Sequence, residues 1–187
     1  MEFKKIQLNG FKSFAEKADF LIEDGLTGIV GPNGCGKSNI VESLRWAMGE
    51  TSAKSMRGSG MEDVIFSGTS NKASKNIAEV TIEVENKDKE GPIQYREHDQ
   101  VQIKRKIEKD KGSKFYINGK EVRARDAQMF FADLSTGAHS PSMISQGRIG
   151  ALVTAKPTDR RAILEEAAGI SGLHVRRHEA ELRLGAA

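Results

Sequence analysis

Cysteine is almost absent: Cys35 is the only one in 187 residues. That excludes a disulfide framework within the chain and suits a reducing cytosol. No apolar run approaches the roughly 20 residues that a membrane-spanning helix needs. The first residues, Met1-Glu2-Phe3-Lys4-Lys5, lead into an alternating segment with no apolar signal core, so neither secretion nor insertion is expected. A large net excess of either sign is also lacking. The net charge of +3 is too small to argue for a polyanion partner by itself. Its distribution is uneven, however, with nine Lys/Arg against three Asp/Glu between Val101 and Arg125. Such a patch is either a polyanion site or the solvated surface of a hairpin.

What the chain does contain is Gly31-Pro32-Asn33-Gly34-Cys35-Gly36-Lys37-Ser38, a complete G-x-x-x-x-G-K-S phosphate loop. Leu26-Thr27-Gly28-Ile29-Val30 before it reads as a short buried strand, and Asn39 to Met48 after it as a helix. Glycines let successive backbone N–H groups turn inward on phosphate oxygens, and the helix start adds its own N–H groups and partial positive charge. Lys37 is placed to reach the β- and γ-phosphates and the Ser38 hydroxyl to hold Mg²⁺. The loop implies binding of a nucleoside triphosphate.

Around the loop the chain is β-rich first and helical later. Phe3 to Leu8 and Phe20-Leu21-Ile22 read as a hairpin leading to the phosphate-loop strand. Ile40, Val41, Leu44 and Met48 are expected on one helix face, with Gly49 as the C-terminal stop. Ala78 to Glu85 alternates strictly, giving a half-buried antiparallel strand, and Val101 to Ile107 repeats the pattern with basic residues outward. Asn118-Gly119 between Phe115-Tyr116-Ile117 and Glu121-Val122 is a strong hairpin signal. Asp126 to Leu134 has a helical pattern, with Met129, Phe130 and Leu134 on a shared face. Pro157 suits the first turn of another helix, whose apolar side is Ile163, Leu164, Ala167 and Ala168. Trp46 reads as core. His174 and His178 stand four apart without a third ligand at zinc spacing, which favours an exposed helix face over a metal site.

A P-loop ATPase normally adds an acidic motif, four apolar strand residues ending in Asp, and the chain has none. Leu134-Ser135-Thr136-Gly137 lacks the second glycine of an ABC signature and precedes the glutamine segment instead of following it. A small-molecule kinase would need an acceptor site and a lid with several arginines, and neither is evident.

The blocks Gly10-Phe11-Lys12-Ser13-Phe14, Gly31 to Ile40, Arg45-Trp46-Ala47-Met48-Gly49-Glu50 and Ser52 to Gly58 resemble the structural maintenance of chromosomes (SMC) family. So do Met61-Glu62-Asp63-Val64-Ile65-Phe66, Ile144 to Ile149 and Asp159 to Gly169, in order along almost the whole chain. Cys35 stands where many members carry Ser; backbone does the binding there, so the function should survive. The resemblance implies an α/β P-loop NTPase, specifically the N-terminal half of an ABC-type ATPase head. An antiparallel β-subdomain and the start of a coiled-coil arm would complete it, with the lobe at residues 1–172 and the arm at 173–187. It also accounts for the gaps, because in the family a C-terminal lobe carries the signature motif, the acidic strand and the catalytic Glu.

By resemblance, ATP and Mg²⁺ are the ligands, with Pro32, Asn33, Gly34, Cys35, Gly36, Lys37, Ser38 and Asn39 around the phosphates and Lys12, Ser13 and Asp63 lining adenine and ribose. Gln146 matches a glutamine that completes Mg²⁺ coordination with Ser38 or orients water; a plain loop glutamine is the alternative. Arg57 matches an arginine that reaches the phosphates, against a surface arginine. The partners implied are the C-terminal lobe, a second head in a homodimer, a kleisin-type bridging subunit and duplex DNA bound non-specifically. Lys104, Lys106, Lys120 and Arg123 are the DNA candidates, expected on one surface. The location implied is cytoplasmic and nucleoid-associated, with no membrane. A RecF- or RecN-like repair ATPase remains an alternative reading.

Overall fold

The computed structural model describes residues 1–87, 89, 91–134, 143, 150, 153–168, 177 and 184–185. In it the alternating segments pair into one antiparallel sheet. The strands are β1 (Glu2–Asn9), β2 (Ala18–Leu21), β3 (Ile77–Glu85), β4 (Gln100–Glu108), β5 (Gly112–Ile117) and β6 (Lys120–Val122), in the order β2-β1-β3-β4-β5-β6. Register follows the apolar parity: Ile6 faces Ile82, Ile82 faces Ile103, and Ile103 faces Ile117. One sheet face therefore collects Ile6, Leu8, Val80, Ile82, Val84, Ile103 and Ile117, all buried. The β5–β6 hairpin turns through Asn118 and Gly119, both at positive φ (48° and 79°), as the Asn-Gly pair requires.

Helices α1 (Lys37–Ala47) and α2 (Ala124–Asp133) cover the apolar face, and α3 (Pro157–Ala167) starts on its proline. In α1 the buried set is Ile40, Glu42, Ser43, Trp46 and Ala47. Val41, expected inward, is instead exposed, because the sheet contacts the flank defined by Ile40, Ser43 and Ala47. Trp46 is core, tilted against Phe11 at 5.5 Å between ring centroids. The helix stops in a Schellman arrangement: Gly49 N donates to Trp46 O and Glu50 N to Arg45 O, both at 3.1 Å, with Gly49 at φ 107°. In α2, Ala127, Phe130 and Phe131 are the buried residues, so Phe131 takes the place expected of Met129.

The expectation for the segment before the phosphate loop is also overturned. Leu26–Val30 forms no strand, and the described residues hold no mixed sheet, only the antiparallel one. Leu26 is 99% exposed and Val30 92%. A strand exists only where a neighbour satisfies its N–H and C=O groups, and no described strand lies alongside this segment. The expected arm at 173–187 falls almost wholly outside the described residues.

Candidate nucleotide site

The phosphate loop runs directly into α1. Gly36 is the N-cap residue, in left-handed conformation at φ 96°, and a Cβ there would lie 2.3 Å from Ser13 Oγ. Gly34 also sits at positive φ, 84°. Only glycine adopts this path without strain. The helix begins with no side-chain cap and no acidic residue in its first turn. Its leading N–H groups and partial positive charge thus suit an external anion. Pro32, Asn33, Gly34, Cys35 and Ser38 are exposed along the loop. The Lys37 ammonium donates to the Gly31 and Pro32 carbonyls, 2.6 Å each, and lies 3.7 Å from Cys35 Sγ.

Beside the loop the fold assembles residues that are far apart in sequence. Asn39 Nδ2 donates to Ser13 Oγ at 2.9 Å, and its Oδ1 accepts from Arg57 Nη2 at 3.0 Å. Glu42, one turn further along α1, pairs with Arg57 through one carboxylate oxygen and with Lys12 through the other. Lys12 also donates to the Met56 carbonyl. Lys12, Ser13, Asn39 and Arg57 are therefore one cluster at the start of α1. Asp63 stands next to it, on the same open cleft of about 660 Å³ as Arg57. Its carboxylate accepts from Gly60 N (3.0 Å), Ser59 Oγ (2.8 Å) and Ser59 N (2.6 Å), which holds it below the ordinary carboxylate range. These bonds brace the turn before Met61–Val64. Gln146 lies outside the described residues. Among the described residues no cluster of His, Cys, Asp or Glu could hold a metal, so the side-chain candidate for Mg²⁺ there is Ser38.

Two residues of this region were missed from sequence. Glu42 carried no motif, although its helical spacing from Ser38 and Asn39 places it over the loop exit. Arg105, expected outward with the other basic residues of its strand, points inward. It is 3% exposed and faces Phe115 and Val80 on the apolar side. Its guanidinium donates to Trp46 O (2.6 Å), Glu50 O (2.7 Å) and Ser113 Oγ (2.8 Å), and lies 4.5 Å from the Trp46 ring centroid and 4.6 Å from that of Phe115. Burial lowers its pKa to about 10 against the pull of Glu50, which leaves it a cation at neutral pH. The parity was legible: Val101, Ile103 and Ile107 are inward, so 105 must be too.

The basic surface is divided. Lys104 and Lys106 share the outer sheet face, as expected, with Lys104 over the Tyr116 ring at 5.7 Å and Lys106 3.9 Å from Glu79. Lys120 pairs in register with Ile117 and so belongs to the opposite face. Arg123 precedes α2 and binds Asp126 at 3.2 Å. The four cations do not form one surface.

A profile of the family described as RecF/RecN/SMC N terminal domain matches residues 2–148. The chain belongs to that family. It is 57% identical over its whole length to the chromosome partition protein Smc of Rhodopseudomonas palustris, and 45% identical over 188 aligned residues to that of Myxococcus xanthus. It spans 16% of the length of each, about a sixth. Among solved structures, an Smc head bound to the C-terminal winged-helix domain of ScpA aligns at TM-score 0.83 and 32% identity, over 91% of this chain and 52% of that one. A Pyrococcus furiosus Smc head with an extended coiled coil, bound to the C-terminal domain of ScpA, aligns at TM-score 0.83 and 31% identity, over 99% and 46%. A structure from work on ATP-driven dimerization and DNA-stimulated activation of SMC ATPases aligns at 0.76 and 32%, over 89% and 99%. The fold is that of an SMC head, and the chain matches about half of each of the two ScpA-bound heads.

Proposed function

We propose that the chain is the ATP-binding N-terminal lobe of an SMC chromosome-partition ATPase. The observation that carries this is the glycine-built entry to α1, with Lys37 inside it and a cluster of Lys12, Ser13, Asn39 and Arg57 beside it. The identity of 57% to partition proteins along the whole chain favours partition over a RecF- or RecN-like repair role.

In this reading backbone N–H groups from Asn33 to Ser38 receive phosphate oxygens, and Lys37 exchanges the Gly31 and Pro32 carbonyls for the β- and γ-phosphates. Arg57 adds a fixed positive charge near the γ-phosphoryl group. Lys12, Ser13 and Asp63 border the nucleoside. A bound Mg²⁺, held by the Ser38 hydroxyl and the Gln146 amide, would supply neutralisation of the charge on the β- and γ-oxygens. Hydrolysis needs a C-terminal lobe and a second head, a kleisin-type subunit bridges the assembly, and duplex DNA is held in a cytoplasmic, nucleoid-associated complex through the outer-face pair Lys104 and Lys106, with Lys120 and Arg123 lying apart from that face.

The test is a calorimetric titration of the 187-residue chain with Mg–ATP. Lys37→Ala should weaken binding by more than about tenfold, since it removes the one side-chain cation within the cradle. Equal affinity for the two proteins would overturn the assignment. Turnover by the chain alone should be negligible and return when the separately expressed C-terminal lobe is added; robust turnover without it would mean that a catalytic carboxylate lies within this sequence.

A further inference from the structure

Glu42 is a carboxylate in the second turn of α1 whose two oxygens serve two different cations. The two cations are not equivalent. Lys12 is 13% exposed and fixed by a second acceptor, the Met56 carbonyl; Arg57 is 58% exposed. Both stand on left-handed backbone, at φ 47° and 54°, a conformation that non-glycine residues keep only when their surroundings hold it. Glu42 itself is 11% exposed at its side chain, so an unpartnered charge there would be costly.

From this asymmetry we infer that Glu42 is a shared counter-ion that parks Arg57 beside the phosphate loop and yields it to the triphosphate. The inference rests on the nucleotide site proposed above. Lys12 makes the exchange feasible, because when Arg57 leaves, the buried carboxylate keeps a cation and is not orphaned. The exposure of Arg57 means that leaving costs it little packing. The distance to travel is short: Glu42 is one helical turn, roughly 5 Å, beyond Ser38. Asn39, which accepts from Arg57 at 3.0 Å, lies between them at the loop exit. Glu42 is thus a positioning residue. It touches no phosphate and acts through the guanidinium it holds.

The sign of the effect separates this from a structural role. Glu42→Gln keeps the shape and removes the charge that competes with phosphate, so Arg57 becomes easier to recruit. Mg–ATP affinity of the 187-residue chain should rise roughly three- to tenfold, in the lower part of the range of coupling between contacting residues. In an Arg57→Ala background the same substitution should change nothing. Unchanged or weaker binding by Glu42→Gln with Arg57 present, or an equal change in both backgrounds, overturns the inference. A second measurement needs no folded variant: the Arg57 Nε–H resonance of the wild-type chain, held by carboxylate, should shift on saturation with Mg–ATP, and an unmoved resonance refutes the exchange. Lys37→Ala, run alongside, keeps the readings apart. If it leaves ATP binding intact the nucleotide site itself is wrong; if it abolishes binding while the Glu42–Arg57 coupling is zero, only this inference fails.

Discussion

Replacing Arg105 by Met tests how far the sheet holds the phosphate-loop helix in place. The guanidinium makes three hydrogen bonds of 2.6–2.8 Å, two of them to carbonyls at and just beyond the end of α1, and stacks on two aromatic rings. Methionine fills similar volume but leaves the Trp46 and Glu50 carbonyls without this donor in an apolar setting. Trp46 O keeps its bond from Gly49 N–H, so the main loss is at Glu50 O, about 1–3 kcal/mol, and the lost stacking adds about 1 kcal/mol. Relief from burying a charge offsets part of this. The net expectation is a loss of about 2 kcal/mol, a sizeable share of the 5–15 kcal/mol that holds a domain of this size together. Arg105→Lys keeps the charge but not the planar fork, so it should recover only part of the loss. Urea unfolding of the three proteins, read as midpoints at constant slope, measures both differences. Wild-type stability in the Met variant, or full rescue by Lys, would refute the idea that the fork clamps the helix.

Gly36→Ala places a Cβ 2.3 Å from Ser13 Oγ on a residue at φ 96°, so it should break the Asn39–Ser13 bond and lower Mg–ATP affinity by more than about tenfold; unchanged affinity by calorimetry would show that the loop adapts freely. For DNA, Lys104→Glu with Lys106→Glu should flatten the salt dependence of duplex binding in fluorescence anisotropy, with each lost phosphate contact lowering the slope by about 0.9. Superimposable salt curves for wild type and variant would assign the outer face to solubility.

Most of the sheet was legible because one half-buried face enforces period two, and a slip by one residue would expose it. Ala78 to Glu85, Val101 to Ile107, the Asn118-Gly119 turn and the Pro157 helix start were all read from local chemistry that the fold does not contradict. The errors arose where a partner decides. Leu26-Thr27-Gly28-Ile29-Val30 has strand composition, but composition cannot supply a neighbouring strand. Arg105 was judged by its charge when its parity said core, because the carbonyls that make a buried guanidinium tolerable come from residues some 55–59 positions away. Glu42 likewise acquires meaning only when Lys12 and Arg57 arrive from either side of the phosphate loop. Motifs announced the loop itself, whereas the counter-ions around it became visible only in three dimensions.

The uncovered Leu26–Val30 run also governs how the chain behaves in concentrated solution. From Gly25 to Gly31 there is neither a charge nor a proline, and Leu26 and Val30 stand almost fully in water. Gatekeeper charges that normally keep such a stretch from self-pairing are missing within it. Purified alone, the chain should self-associate as its concentration rises, with this segment as the adhesive. A strand laid alongside it would protect solubility as well as satisfy its backbone N–H and C=O groups.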